Sequence, residues 1–193
     1  MRMKIIIVFL LFISLFQISK GVSQEIIPRQ TSITSAVGFG INEGETELGM
    51  SFFYSIGWQK SVGENNRLRI NPNLLSGGFV PFAISDVPDQ YYRMTQLRFN
   101  VHYDLIKYKS FSLVTSAGAF VSLSRGLIGS GGRSSNNSGY FYNFYFGGNV
   151  SLGLRYSPQK NRIAYELRPS ISLGNKGFIF GGYMLCLDFK INK

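Results

Sequence analysis

Residues 143–156 read NFYFGGNVSLGLRY, and they alternate. Phe144, Phe146, Val150, Leu152, Leu154 and Tyr156 hold the even numbers. Asn143, Tyr145, Asn149, Ser151, Gly153 and Arg155 hold the odd ones. A period of two belongs to a β-strand, whose successive side chains point to opposite faces. One face of this strand is apolar and the other polar. If the apolar face turns inward, the chain is a soluble β-domain. If it turns outward, the solvent on that side is lipid.

Segments of the same kind recur along the chain at hairpin spacing, with no helical period between them. The pattern predicts β1 at Ser32–Gly40, β2 at Leu48–Val62, β3 at Arg67–Leu75 and β4 at Tyr92–Ile106. It continues with β5 at Ser110–Arg125, β6 at Tyr140–Tyr156, β7 at Arg162–Leu173 and β8 at Phe178–Ile191. The connections differ in kind. GENN (63–66), KYK (107–109) and SPQKN (157–161) are short and polar, whereas residues 41–47, 76–91 and 126–139 are longer and irregular. Long and short alternate until the final GNKG, the order expected when outer loops and inner turns follow one another in a membrane barrel.

The beginning of the chain predicts export. MRMKIIIVFLLFISLFQISKGVSQ has Arg2 and Lys4, an apolar run from Ile5 to Phe16, and a small-x-small site at Gly21 and Ser23. That is the pattern of a secretory signal peptide over residues 1–23, and the run is too short for a membrane span of about 20 residues. No cysteine stands directly after the run, which argues against a lipid-anchored terminus. Residues 24–193 then form one domain. Removing Arg2, Lys4 and Lys20 leaves 17 basic against ten acidic residues, a balance of +7. In an exported chain this charge suits an anionic lipid surface rather than nucleic acid. Cys186 is the only cysteine, so no internal disulfide forms. After the signal there is no second long apolar run, which excludes an α-helical membrane protein but not a β-barrel.

Three features turn the apolar face outward. Lys60, Lys107, Lys109, Lys160, Lys176, Lys190 and Lys193 all fall in turns, loops or strand ends, whereas a water-facing strand normally carries lysine and glutamate. The polar faces hold Gln96, Arg98, Asn100, His102 and Asp104 in β4, and Ser112, Ser116, Gly118 and Ser122 in β5. Small residues with a few pairable ions suit the filled interior of a narrow barrel. Trp58, Tyr103, Tyr156 and Phe189 stand near the lower strand ends on the apolar face, with Tyr54, Tyr91, Tyr142 and Phe144 toward the upper ends, as interfacial girdles would. Backbone groups in lipid must all be paired, so such a sheet has to close on itself. The expected fold is all-β, an eight-stranded antiparallel up-and-down transmembrane β-barrel. Pro72 and Pro169 interrupt the pattern, and each predicts a bulge or a strand end.

With its signal peptide, eight amphipathic strands, short inner turns, long outer loops and the aromatic-rich last strand FIFGGYMLCLDFKINK, the chain resembles the small outer-membrane β-barrel proteins, OmpX-like and OmpA-like barrels among them. The resemblance covers nearly the whole mature chain. It departs in the last residues, DFKINK, where such proteins often end on an aromatic residue.

The search for chemistry returns little. His102 lies beside Asp104, with Ser112 or Ser116 on the next strand, but a lumen this narrow does not admit a lipid substrate. The lipid A-modifying barrel enzymes, which the chain resembles in size, work near the outer leaflet. No metal spacing of cysteine and histidine is present. Glu43, Glu45 and Glu47 lie in INEGETE, which lacks a calcium-loop spacing and reads as a solvated acidic loop. GSGGRSSNNSG lacks the Lys-Ser/Thr ending of a phosphate loop. Asn136 and Asn149 match a glycosylation sequon. Arg69, Arg98, Asp104, Arg155, Glu166, Arg168 and Asp188 all take lumen-facing positions, where buried ions require partners.

These residues predict a non-enzymatic outer-membrane barrel without catalytic, metal or cofactor residues, its lumen plugged by paired ions. Its expected partners are outer-membrane lipids, and envelope or extracellular proteins reached through loops 41–47, 76–91 and 126–139. The competing readings are a lipid A-modifying enzyme, a narrow channel and a soluble periplasmic lipid carrier.

Overall fold

Eight strands close into a ring. The structure is a computed structural model that describes residues 30–62, 66–80, 90–129, 138–158 and 160–191. The strands are β1 Thr31–Glu43, β2 Leu48–Val62, β3 Leu68–Val80, β4 Gln90–Tyr108, β5 Phe111–Gly129, β6 Ser138–Tyr156, β7 Ile163–Gly174 and β8 Ile179–Lys190. Each pairs antiparallel with its sequence neighbours, and β1 pairs with β8, so no edge is left open.

The register fixes the slant of the wall. Following paired residues from Thr31 through Lys60, Ile70, Val101, Ala117, Val150, Ile171 and Gly181 returns to β1 at Ile41, ten residues further on. With about 3.3 Å per residue and about 4.8 Å between strands, that stagger tilts the strands by about 40° and gives a backbone radius of about 8 Å. The interior is just wide enough for side chains.

The alternation of the opening stretch is resolved in favour of lipid. Phe144, Phe146, Val150, Leu152 and Leu154 are exposed on the outer wall, while Tyr145, Asn149 and Arg155 are buried in the lumen. The same holds around the ring. Trp58, Tyr156 and Phe189 face outward at the lower end, Tyr91 and Tyr142 face outward toward the upper end, and Tyr54, expected among the upper rings, faces outward near the middle of β2.

Several strands are longer than the apolar alternation indicates. β1 continues to Glu43, β3 to Val80 and β5 to Gly129, and β6 begins at Ser138. The loops expected at 41–47, 76–91 and 126–139 therefore contract: residues 41–43, 76–80, 90–91, 126–129 and 138–139 are strand, as are 107–108 of the turn expected at 107–109. Ser76, Gly77, Gly78, Gly126, Ser138 and Gly139 keep the backbone ladder there but carry no side chain large enough to mark a face. Residues 81–89 and 130–137, with Asn136, lie outside the described residues, as does the segment 1–29 that holds the expected signal peptide.

Neither proline makes a bulge or ends a strand. Pro72 lies within β3 and Pro169 within β7. Pairing of β2 with β3 lapses between Gly57↔Asn73 and Lys60↔Ile70, and pairing of β6 with β7 lapses between Ser151↔Ser170 and Leu154↔Leu167. The register is the same on both sides of each lapse. On its other side each proline stays paired, with Phe99 and Tyr183 respectively. A missing N–H faces only one neighbour, so one ladder loses a rung and the other does not. Opposite Pro72 the Trp58 carbonyl accepts a hydrogen bond from Asn71 Nδ2 at 3.1 Å, which replaces the lost donor. A register shift does occur elsewhere, at Asp104–Ile106 in β4 near the lower end.

Candidate functional site: the lumen and its mouth

The lumen is built in layers, because inward-facing side chains change character along each strand. At the lower level lie the ions. Arg69 pairs with Asp104 at 2.6 Å, Arg155 with Asp188 at 2.9 Å, and Arg168 Nε donates to Glu166 Oε1 at 2.7 Å. All six are buried. The Arg155–Asp188 contact reaches from β6 over β7 to β8, while Glu166 of β7 lies opposite Arg155 in register. The expectation of paired ions holds for three pairs but fails for Arg98. This fourth arginine has no carboxylate partner among the described residues. Its Nε and one terminal nitrogen donate to Gln96 Oε1 at 2.7 and 2.5 Å, and its guanidinium lies 5.3 Å from the Phe180 ring centre. A polar acceptor and an aromatic face take the place of an acid there.

Above the ions is a belt of amides and hydroxyls. Asn73 Nδ2 donates to Asn71 Oδ1, Asn71 Nδ2 to Thr34 Oγ1, Asn149 Nδ2 to Asn100 Oδ1, and Ser116 and Ser151 share a 2.6 Å bond. The cavity between them measures about 20 Å³, room for about one water molecule.

The upper third of the lumen is aromatic, which the sequence reading did not anticipate. Phe53, Phe79, Tyr92, Phe120, Phe141, Tyr145, Phe178 and Phe180 are all buried. Phe79 stacks on Tyr92 at 4.7 Å, Tyr145 and Phe178 lie tilted at 4.6 Å, and Phe180 meets Phe53 edge-on at 5.2 Å. Their parity carried part of the signal: each in-strand ring occupies the lumen-facing parity, which its strand gives mainly to polar or small residues, with Leu75, Met94, Val114 and Met184 as apolar exceptions.

At the mouth the connection between β1 and β2 folds inward. Glu47 is 2% exposed, so the acidic segment is not the solvated loop expected of it. Tyr145 Oη donates to Glu47 Oε2 at 2.9 Å and Asn143 Nδ2 does so at 2.7 Å, while the Glu45 N–H donates to Tyr145 Oη at 3.0 Å. Partners on β6 thus bury one carboxylate of the three. The second, Glu45, forms a half-exposed ion pair with Lys176 at 2.8 Å, and Glu43 ends β1. Lys176 and Gly177 have φ values of 53° and 73°, the Phe178 N–H returns to the Asn175 carbonyl and the Gly174 N–H donates to the Phe178 carbonyl, so a tight turn with two left-handed residues closes the last hairpin.

The catalytic arrangement considered above is not assembled. His102 faces Ser116 across the β4–β5 ladder, but neither imidazole nitrogen has a hydrogen-bond partner among the described residues. Ser116 is bonded to Ser151, and Asp104 to Arg69. Cys186 is a buried thiol on the lumen face, and Asn149, a sequon asparagine, is buried beside Asn100.

No protein-family model matches the chain, and no curated protein matches it. Solved structures do. Neisserial surface protein A, NspA, superposes with a TM-score of 0.59 at 14% identity, covering 83% of this chain and 97% of that one. Ail, the attachment invasion locus protein of Yersinia pestis, superposes at 0.54 and 14% identity, covering 86% of this chain and 100% of that one. The fold is that of a small outer-membrane β-barrel. Ail has also been solved in complex with the heparin analogue sucrose octasulfate, and that structure matches at 0.54 and 13% identity. At such identities the likeness is one of backbone. The small-barrel wall is common to them, whereas the ions, the ring stack and the mouth described above are this chain's own side chains.

Proposed function

We propose that the protein is a non-enzymatic outer-membrane barrel, exported by residues 1–23 and closed to ions, whose upper connections meet partners outside the cell. The observation that carries this reading is the layered lumen, in which three buried ion pairs lie beneath a stack of aromatic rings with room for about one water between them. A lumen filled in this way offers neither a water path nor a substrate cavity. The apolar outer wall supports lipid as its surroundings, which argues against a soluble carrier. The contact role falls to loops 41–47, 76–91 and 126–139 in their exposed parts. That Ail is an attachment invasion locus protein, solved with a heparin analogue, supports looking for extracellular partners there.

The test is electrical. Purified protein inserted in a planar bilayer is expected to give no steady conductance. A steady, ion-selective current from the wild-type chain would overturn the closed lumen and favour the channel.

A further inference from the structure

Two cations stand on the outer wall, where neither the lumen nor the mouth uses them. Arg93 of β4 and Arg125 of β5 are exposed and lie directly opposite each other in register. Both occupy the lipid-facing parity, Arg93 in line with Tyr91, Leu97 and Phe99, and Arg125 with Val121 and Leu127. Like charges placed opposite each other across an antiparallel ladder repel. Among the described residues neither arginine has a carboxylate within ion-pair distance.

Their depth is not that of the hydrocarbon centre. Ten residues of β4 separate Arg93 from Tyr103 of the lower girdle. At about 3.3 Å per residue and a tilt of about 40°, that is about 25 Å, the height of the apolar band of a membrane barrel. Arg93 therefore stands where the upper headgroups begin.

The first guanidinium is held in place. Arg93 Nε donates to Ser76 Oγ at 3.1 Å, and that hydroxyl lies 3.4 Å from Thr95 Oγ1. Ser76 is 2% exposed although it faces the lipid side, because the arginine covers it. The terminal nitrogens of Arg93 have no partner among the described residues. Across the wall, one row of paired residues reads Phe52, Gly78, Arg93, Arg125, Tyr142. A methyl group at Gly78 would meet nothing within 4 Å. The pair thus has open space on one side and an aromatic ring on the other.

We propose that Arg93 and Arg125 together bind the phosphate of an outer-leaflet lipid, and that Gly78 leaves room for its headgroup. The guanidinium fork matches phosphate oxygens in pairs, and one anion between two opposed cations converts their repulsion into attraction. The proposal rests on the outer-membrane reading above.

The test separates the two. The full chain is folded into phosphatidylcholine nanodiscs containing either lipid A with its phosphates or the same lipid dephosphorylated. It is then released into detergent and weighed by native mass spectrometry. The wild-type barrel should keep the phosphorylated lipid and lose the other. Arg93→Gln/Arg125→Gln should retain about tenfold less, the loss expected of charge-assisted hydrogen bonds, while Lys160→Gln at the lower end should retain as much as wild type. In pure phosphatidylcholine Arg93→Gln should melt no lower than wild type, and with phosphorylated lipid A it should melt lower. A folded barrel that keeps both lipids alike, a double variant that retains as wild type does, or displacement of lipid A by millimolar inorganic phosphate would each overturn the proposal. Should the double variant fail to fold, the two-lipid comparison on wild type decides alone. A chain that never inserts, seen as identical migration in heated and unheated gels, overturns the membrane reading instead.

Discussion

Removing Glu166 tests how the lower lumen is held together. Its Oε1 accepts from Arg168 Nε at 2.7 Å, and Arg155 faces it across the β6–β7 ladder. Both members of the Glu166–Arg168 pair are buried. In Glu166→Ala the lower lumen keeps Arg69, Arg155 and Arg168, but only Asp104 and Asp188 remain to balance them. Breaking a buried ion pair from one side costs about 3–5 kcal/mol, because the remaining charge stays buried without its partner. Glu45→Ala is the control: its pair with Lys176 is about half exposed, and such pairs contribute about 0.2–1 kcal/mol. The assay is urea unfolding in phosphatidylcholine vesicles, followed through the fluorescence of Trp58. This is the only tryptophan, and it leaves the lower interface on unfolding. Replacing both partners by apolar residues, Glu166→Leu with Arg168→Met, should recover most of the loss, since a buried pair exchanged for apolar groups is often close to neutral. If Glu166→Ala falls within about 1 kcal/mol of Glu45→Ala, or if the double variant is no better than the single one, the ion layer does not hold the barrel as argued.

Leu152→Arg, on the exposed face of β6, should cost about 2–4 kcal/mol in the same titration, whereas Ser151→Ala, which removes only the bond to Ser116, should cost about 1 kcal/mol; equal costs would refute the face assignment. Asn71→Ala should cost about 1–3 kcal/mol by uncovering the Trp58 carbonyl and freeing Thr34 and Asn73, and less in a Pro72→Ala background, where the backbone donor to Trp58 is restored; an unchanged cost would mean the amide is not substituting for it. In a Cys186→Ser background, a cysteine at Lys176 should react with an impermeant maleimide on intact cells and one at Lys109 should not; the reverse pattern would invert the barrel.

The wall was legible in the sequence because two different solvents write two different alphabets on it. Leucine, valine and aromatic rings on one parity against serine, asparagine and arginine on the other left little choice at Asn143–Tyr156. The stacking of the upper lumen was not legible in the same way. Phe79, Tyr92 and Phe180 come from three strands, and only ring closure brings them together. Glu47 was misjudged for a related reason: its partners Asn143 and Tyr145 are almost a hundred residues away, and nothing near it in sequence signals burial. Strand ends were missed where Ser76–Gly78 keep a ladder without displaying a face. Arg93 and Arg125 could have been noticed from parity alone, as cations on an apolar face.

The two lapses at Pro72 and Pro169 have a mechanical consequence. In a ring of eight strands the β2–β3 and β6–β7 seams lie diametrically opposite. They divide the wall into two four-strand shells, β3 to β6 and β7 through β8 and β1 to β2, joined by ladders with missing rungs. A barrel built this way should be most compliant along one transverse axis, so that lateral pressure would act first at those seams. Asn71 reaching Thr34 and Trp58 works as a strut over one seam, and the Arg155–Asp188 pair works as a strut over the other. Arg93 and Arg125 belong to the same shell, so their spacing is set by continuous ladder and is unaffected when the two halves flex.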